Sequence, residues 1–164
     1  MQQVKLIALD VDGTLTDGTF WWGPQGEELK RFSSHDVAGI SQASKVGFTF
    51  ALISGDSSPL IDRFAQKLEI KFVYKGCRDK AAALRELMAR KNLYPQEICF
   101  MGDDLDDLPA MAVAGVSAAP SSAVEHVRAK ATYVTSASGG NGAVRELIEH
   151  IREVQAAVNL EIAA

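Results

Sequence analysis

Positive charge is in short supply in this chain of 164 residues: 17 Lys and Arg stand against 21 Asp and Glu, a formal net charge of -4. Without a surplus of clustered cations, broad binding to DNA, RNA or an anionic membrane surface is excluded. Long hydrophobic runs are also missing, and no stretch approaches the roughly 20 apolar residues of a bilayer-spanning helix. The two cysteines, Cys77 and Cys99, lack CxxC spacing and are too few for a disulfide scaffold. They fit reduced thiols in the cytoplasm, and Met1 to Asp10 has neither the basic nor the apolar region of a secretion signal. His35, His126 and His150 show no metal-ligand spacing and read as structural. Apolar residues are not scarce: at 47% of the chain against 23% charged, they are enough for a packed core and argue against disorder. The length is that of one ordinary domain, expected over residues 1–164.

Short apolar runs alternate with amphipathic stretches. Strands are expected at 4–9, 49–53, 72–74, 97–101, 116–118 and 132–134, and helices at 36–46, 58–68, 79–91, 105–114, 123–129 and 143–158. In 79–91, for example, Ala83, Leu84, Leu87 and Met88 recur at helical spacing. Such alternation implies an α/β fold of Rossmann type, a mainly parallel sheet with helices on both faces. One segment departs from it. Gly18 to Trp22, the turn Gly23-Pro24-Gln25-Gly26, and Glu27 to Phe32 read as a β-hairpin over about 18–32. It carries Phe20 and both tryptophans, an aromatic load that either packs on its own domain or, the favoured reading, is covered by another copy of the chain.

The chemistry-bearing residues fall at strand ends, where open parallel sheets bind their ligands. The first strand ends in Asp10-Val11-Asp12-Gly13-Thr14. Two carboxylates this close resist joint ionisation unless a cation lies between them or one keeps its proton. The next ends in Ser54-Gly55-Asp56, a hydroxyl followed by free backbone N–H groups before a helix, which suits a phosphate. Lys80 opens a later helix, where a cation opposes the macrodipole and so calls for a partner. Then come Asp103, Asp104, Asp106 and Asp107, four carboxylates in five residues. Helix capping accounts for one or two of these but not for an adjacent pair at the strand end. Hard oxygen donors without thiolate or imidazole favour Mg²⁺ over zinc.

In this order the motifs resemble those of the haloacid dehalogenase (HAD) superfamily of phosphatases: Asp10 to Gly18, Ser54, Lys80 and Gly102-Asp103-Asp104. Asp10 and Ser54 lie 44 positions apart, Ser54 and Lys80 only 26, too little at either place for the cap domain many members insert. The chain therefore looks like the capless branch that acts on phosphates of 3-deoxy-octulosonate (KDO) and the related nine-carbon nonulosonates. Gly26-Glu27-Glu28-Leu29-Lys30, Gly39-Ile40, Asp103 to Asp107 and Gly139 to Glu146 also match that branch. The resemblance implies that Asp10 is a nucleophile and Asp12 an acid–base group. Mg²⁺ would be bound by Asp10, Asp103 and the Asp12 carbonyl, and the phosphate by Ser54, Gly55 and Lys80. Asp104 and Asp107 would support them, with Asp104 orienting Lys80 or metal-bound water. It further implies a homotetramer in which a neighbouring subunit covers each site. Asp56, Lys67 and Arg78 are the expected specificity residues. Asp56 stands where KDO-type members usually carry Arg, and with Lys67 it looks more like the nonulosonate type. Ser33 to Ile40 also replaces an Arg-Asp-Gly often found there.

A response-regulator receiver, which is a phosphoacceptor module and not an enzyme, shares the acidic site, hydroxyl and lysine. It places its lysine last, whereas Lys80 precedes the second acidic cluster here, and it lacks an equivalent of Asp12. A scaffold with vestigial chemistry is disfavoured because every catalytic position is filled. A phosphatase for another small sugar phosphate is the nearer alternative.

Overall fold

Strand β1 (Leu6–Leu9) sets the layering of the molecule, a computed structural model that describes residues 3–163. Its four side chains are fully buried, and they alternate: Leu6 and Ala8 join one apolar cluster, Ile7 and Leu9 the other. Successive strand residues face opposite sides, so a strand with no polar side belongs in a parallel sheet covered on both faces. After β1 come a hairpin of β2 (Trp21–Trp22) and β3 (Glu28–Leu29), then α1 (Ser34–Lys45), β4 (Thr49–Ile53), α2 (Pro59–Lys67), β5 (Phe72–Tyr74) and α3 (Lys80–Lys91). The chain continues through β6 (Ile98–Met101), α4 (Leu108–Val113), β7 (Val116–Ala119), α5 (Glu125–Lys130), β8 (Tyr133–Val134) and α6 (Ala143–Ala163). Six strands form one parallel sheet in the order β5-β4-β1-β6-β7-β8. Apolar residues of α1, α2 and α6 pack on one face, and those of α3, α4 and α5 on the other.

The chain leaves β1 in one direction through β4 and β5, then crosses to β6 on the other side. That reversal makes the β1–β6 boundary the switch point, where the strand ends open a crevice. Leu9 stands level with Leu52 and Met101, so the residues following β1, β4 and β6 emerge at one height. Asp10, Ser54 and Asp103 are among them.

Several expected boundaries shift for local reasons. Helix α1 starts two residues early, because the Ser33 hydroxyl accepts the His35 N–H and caps it. The expected helix over 105–114 divides into a 3-10 turn, Leu105–Asp107, and α4, with Pro109 in the first turn of α4. Helix α5 begins at Glu125, and α6 continues past Val158 to Ala163. The hairpin strands are two residues each, far shorter than an 18–32 ribbon, and they join in a small separate sheet. Phe20, Trp21, Trp22 and Leu29 are all exposed there. No helix among the described residues is long and apolar enough to cross a membrane.

Candidate active site

Asp10 is the first residue beyond β1, and its backbone N–H donates to the Met101 carbonyl at 2.9 Å, which ties it to the end of β6. The chain then turns through Gly13, at φ +99°, a conformation that side chains with a Cβ rarely adopt. A Cβ at Gly13 would stand 2.0 Å from Asp103 Oδ2, so the glycine is what lets the β6 loop close against the β1 loop. Behind it lies the loop at 139–142. A Cβ on Gly139 would meet the Gly13 carbonyl at 1.8 Å, and the Gly140 N–H donates to the Thr14 carbonyl at 3.1 Å. That glycine stretch is a buttress for the Asp10–Asp12 turn. Asp36 secures its far end, where its carboxylate accepts the N–H groups of Gly142 and Arg145 at 3.3 and 2.8 Å.

Lys80 is buried at the start of α3, and its ammonium donates to Asp10 Oδ1 at 2.8 Å and Asp107 Oδ1 at 2.7 Å, with Asp106 Oδ2 at 3.0 Å. These partners explain a cation at the unfavourable end of a helix. Burial works against its charge, and the carboxylates of Asp10 and Asp107 more than reverse that, raising its pKa above the ordinary lysine value. Carboxylate oxygens of Asp10, Asp103 and Asp107 come within 4.8 Å of one another. Burial, then the charge of Asp107, pushes Asp10 well above the carboxylate range, with Lys80 pulling the other way. The same two causes bring Asp103 to about 7. Burial likewise raises Asp107, against the pull of Lys80. Three crowded, largely buried carboxylates, of which Asp10 and Asp107 pair with one ammonium, form a donor set suited to a hard divalent cation such as Mg²⁺.

The structure redistributes the acidic residues relative to the sequence-based expectation. Asp107 belongs to the carboxylate group and contacts Lys80. Its Oδ2 also accepts the backbone N–H groups of Asp103 and Asp104, at 2.9 and 3.1 Å. Asp104 does not orient Lys80: its side chain accepts the Leu105 N–H at 2.7 Å and caps the 3-10 turn, while Asp106 and Asp107 hold the lysine. The Asp12 carboxylate turns away from the carboxylate group toward Lys30. Burial raises its pKa, and the hydrogen bond and charge of Lys30 act against the rise.

Ser54 is buried beyond β4, and its hydroxyl accepts the Asp56 N–H at 3.1 Å, leaving its proton to donate. Asp10, Asp12, Ser54, Gly55, Asp56, Lys80 and Asp103, with Gly18 and Phe20 of the hairpin side, line one cavity of about 340 Å³. Asp104 and Asp106 line it as well. Lys67 lines a neighbouring cavity of about 490 Å³ with Arg63 and Phe64, and Arg78 is exposed and lines neither. Two contributors carried no role in the sequence analysis, Lys30 and Asp36. For Lys30 a signal existed: Glu28, Lys30 and Phe32 alternate along the hairpin strand, so one side of it carries charge inward.

A family model described as haloacid dehalogenase-like hydrolase matches residues 72–147. The 3-deoxy-D-manno-octulosonate 8-phosphate phosphatase of Yersinia pestis is 40% identical over 148 residues, covering 90% of this chain and 79% of its own. Its counterpart in Escherichia coli K12 is 36% identical over the same shares. Among solved structures, the Moraxella catarrhalis 3-deoxy-D-manno-octulosonate 8-phosphate phosphatase, in complex with magnesium, phosphate and KDO, superposes with a TM-score of 0.90 at 38% identity. It covers 98% of this chain and 92% of that one. Sheet order, motif order and these likenesses agree, and they leave no place for a receiver: the chain belongs to the haloacid dehalogenase-like hydrolases, beside the 3-deoxy-D-manno-octulosonate 8-phosphate phosphatases.

Proposed function

We propose that this chain is a Mg²⁺-dependent phosphatase that hydrolyses the phosphomonoester of a 3-deoxy-ulosonic acid phosphate, with KDO 8-phosphate as the first substrate to try. The observation that carries the reading is the convergence of Asp10, Ser54, Lys80 and Asp103 on one cavity at the sheet's switch point, with Asp107 buried behind them against Asp10, Asp103 and Lys80. The names of the relatives support the eight-carbon acid over the nine-carbon nonulosonates, whereas Asp56 and Lys67 motivated the latter.

In this reading Asp10 attacks phosphorus in line with the sugar oxygen, and its Oδ–P bond forms as the P–O bond to the sugar breaks. The departing oxygen takes a proton from Asp12 and leaves as the free alcohol. Water then attacks the aspartyl-phosphate and gives a proton back to Asp12; the Oδ–P bond breaks, and inorganic phosphate and Asp10 are released. Lys80 places its charge on the transferring oxygens, and Ser54 donates its hydroxyl proton to them, contacts that strengthen as charge develops. Asp10, Asp103 and Asp107 would hold Mg²⁺, with the Asp12 carbonyl as the family resemblance suggests. The ion supplies positive charge that screens a carboxylate nucleophile from a phosphate dianion.

The exposed Phe20, Trp21, Trp22 and Leu29 support association with further copies, a tetramer by resemblance, with a neighbour covering the cavity mouth. A cytoplasmic location suits the reading, since Cys77 and Cys99 are unpaired. Steady-state phosphate release with KDO 8-phosphate and with a nonulosonate 9-phosphate, each with Mg²⁺ and with chelator, tests it. Multiple turnovers of either acid that stop without the metal support the class, and the kcat/KM ratio names the acid. Metal-independent release, or none from either, overturns the proposal.

A further inference from the structure

The hairpin brings one basic side chain against two residues of the catalytic cavity, Asp12 and Asp56, from the side of the neighbouring cavity, and the reaction as derived leaves it without a role. Lys30 follows β3 directly, and its side chain is 1% exposed. Its ammonium donates to Asp12 Oδ1 at 2.5 Å and to Asp56 Oδ2 at 2.8 Å. Glu28 Oε1 lies 3.6 Å away, and the Phe20 ring centroid is 4.7 Å below. Burying an ammonium is costly unless it is paired, and here the pairing spans three segments: the hairpin, the turn after β1 and the turn after β4.

We propose that Lys30 is a positioning residue for Asp12: it fixes the carboxyl by Oδ1 and so makes Oδ2 the oxygen that exchanges a proton with the leaving group. The inference rests on the reading of Asp12 as the acid–base group. An ammonium has three donors and no acceptor, so the carboxyl oxygen facing it must accept. A proton carried by Asp12 is therefore confined to Oδ2. Asp56 and Glu28 supply the counter-charge that lets one ammonium fill this place without demanding that Asp12 be its anion. Without Lys30 the carboxyl would rotate between equivalent orientations, and a donor must lie within hydrogen-bond reach of the departing oxygen to act. The contact also makes the hairpin part of the catalytic apparatus, because Lys30 directly follows β3 and the ring of Phe20 lies beneath its charge.

The test compares Lys30→Met and Lys30→Arg with wild type on KDO 8-phosphate, which has a poor alkoxide leaving group, and on p-nitrophenyl phosphate, whose phenolate departs without help. Turnover through kcat/KM reports only the steps up to departure of the leaving group. Lys30→Met should lower kcat/KM on the sugar phosphate by at least about tenfold and on the aryl phosphate by less than about threefold. Lys30→Arg should recover part of the loss. In an Asp12→Asn background, Lys30→Met should cost little more, because the lysine acts through that carboxyl. Equal losses on the two substrates, or losses that add in the double variant, overturn the proposal in favour of a hairpin prop. A wild-type enzyme inactive on the sugar phosphate would fault the functional reading itself. Should Lys30→Met not fold by circular dichroism, Asp56→Asn, which removes the second anchor of the ammonium, carries the same contrast at a few-fold size. Equal effects there overturn the inference as well.

Discussion

Asp103→Asn should make the metal-free protein more stable at neutral pH, although it removes one of the carboxylates proposed to hold the metal. In the folded state Asp103 titrates at about 7, against an ordinary value of 3.8, because burial and the neighbouring Asp107 disfavour its charge. A carboxyl raised in this way holds its proton more tightly folded than unfolded. Its destabilising effect is absent below the unfolded value, grows as pH rises, and is complete above about 7. At about 1.4 kcal/mol per pH unit, the interval amounts to about 4 kcal/mol, of which about 3 kcal/mol falls above pH 5. For a chain of this size that corresponds to a fall in Tm of roughly 6–12 °C between pH 5 and 7.5 in chelator. Added Mg²⁺ should flatten the decline, since a ligand bound only by the folded state stabilises it. Asp103→Asn should make it shallower without Mg²⁺, leaving the share contributed by Asp10 and Asp107, and should no longer respond to the ion. Scanning calorimetry across this range in EDTA and in Mg²⁺ measures all three. A wild-type Tm that rises with pH in EDTA, or an Asp103→Asn slope equal to wild type, would refute the electrostatic account of the carboxylate group.

Asp10→Asn should abolish turnover, by at least about a thousandfold in kcat, with the fold intact by circular dichroism. Near-wild-type Mg²⁺-dependent release would remove Asp10 as nucleophile. Asp36→Ala should cost about 1–3 kcal/mol in urea unfolding, because it strips the buried acceptor from the Gly142 and Arg145 N–H groups. Gly139→Ala should cost about 1–3 kcal/mol and lower kcat, since its Cβ would displace the Gly13 carbonyl and with it the Asp10–Asp12 turn. A variant as stable and active as wild type would show that the buttress is dispensable. Trp21→Glu combined with Trp22→Glu should reduce the mass found by light scattering to that of one chain; an unchanged mass places the contact elsewhere.

Much of the site was legible because parallel-sheet chemistry gathers at strand ends, and each strand announced its end with Asp10, Ser54 or Asp103. The sorting within the acidic run was not legible. Asp104 and Asp107 have the same chemistry, and only the 3-10 turn of Leu105–Asp107, which brings Asp107 back beneath the Asp103 and Asp104 N–H groups, separates cap from site. Lys30 was visible as part of a matching stretch, but its reach to Asp12 depends on how a short hairpin folds over the cavity. The tie between Asp36 and Gly142 spans 106 positions and joins two helices whose sequences give no sign of each other. The stretch from Gly139 matched the family without showing its role; the small size of Gly139 and Gly140 matters because another backbone runs against them. Expected helix starts differ by two residues where Ser33 caps α1 and by three where a 3-10 turn precedes Pro109 in the run after β6.

The chain contains two tryptophans, and both sit side by side on the hairpin, 62% and 72% exposed. Its intrinsic indole fluorescence therefore comes wholly from that projecting element and is blind to the sheet. Emission from the isolated chain should resemble that of tryptophan in water and move to shorter wavelength when a neighbouring copy covers the rings. Denaturant would change it little until any such cover is lost. Assembly and unfolding of the core can thus be followed separately on the same unlabelled sample, the first by emission wavelength and the second by far-ultraviolet circular dichroism.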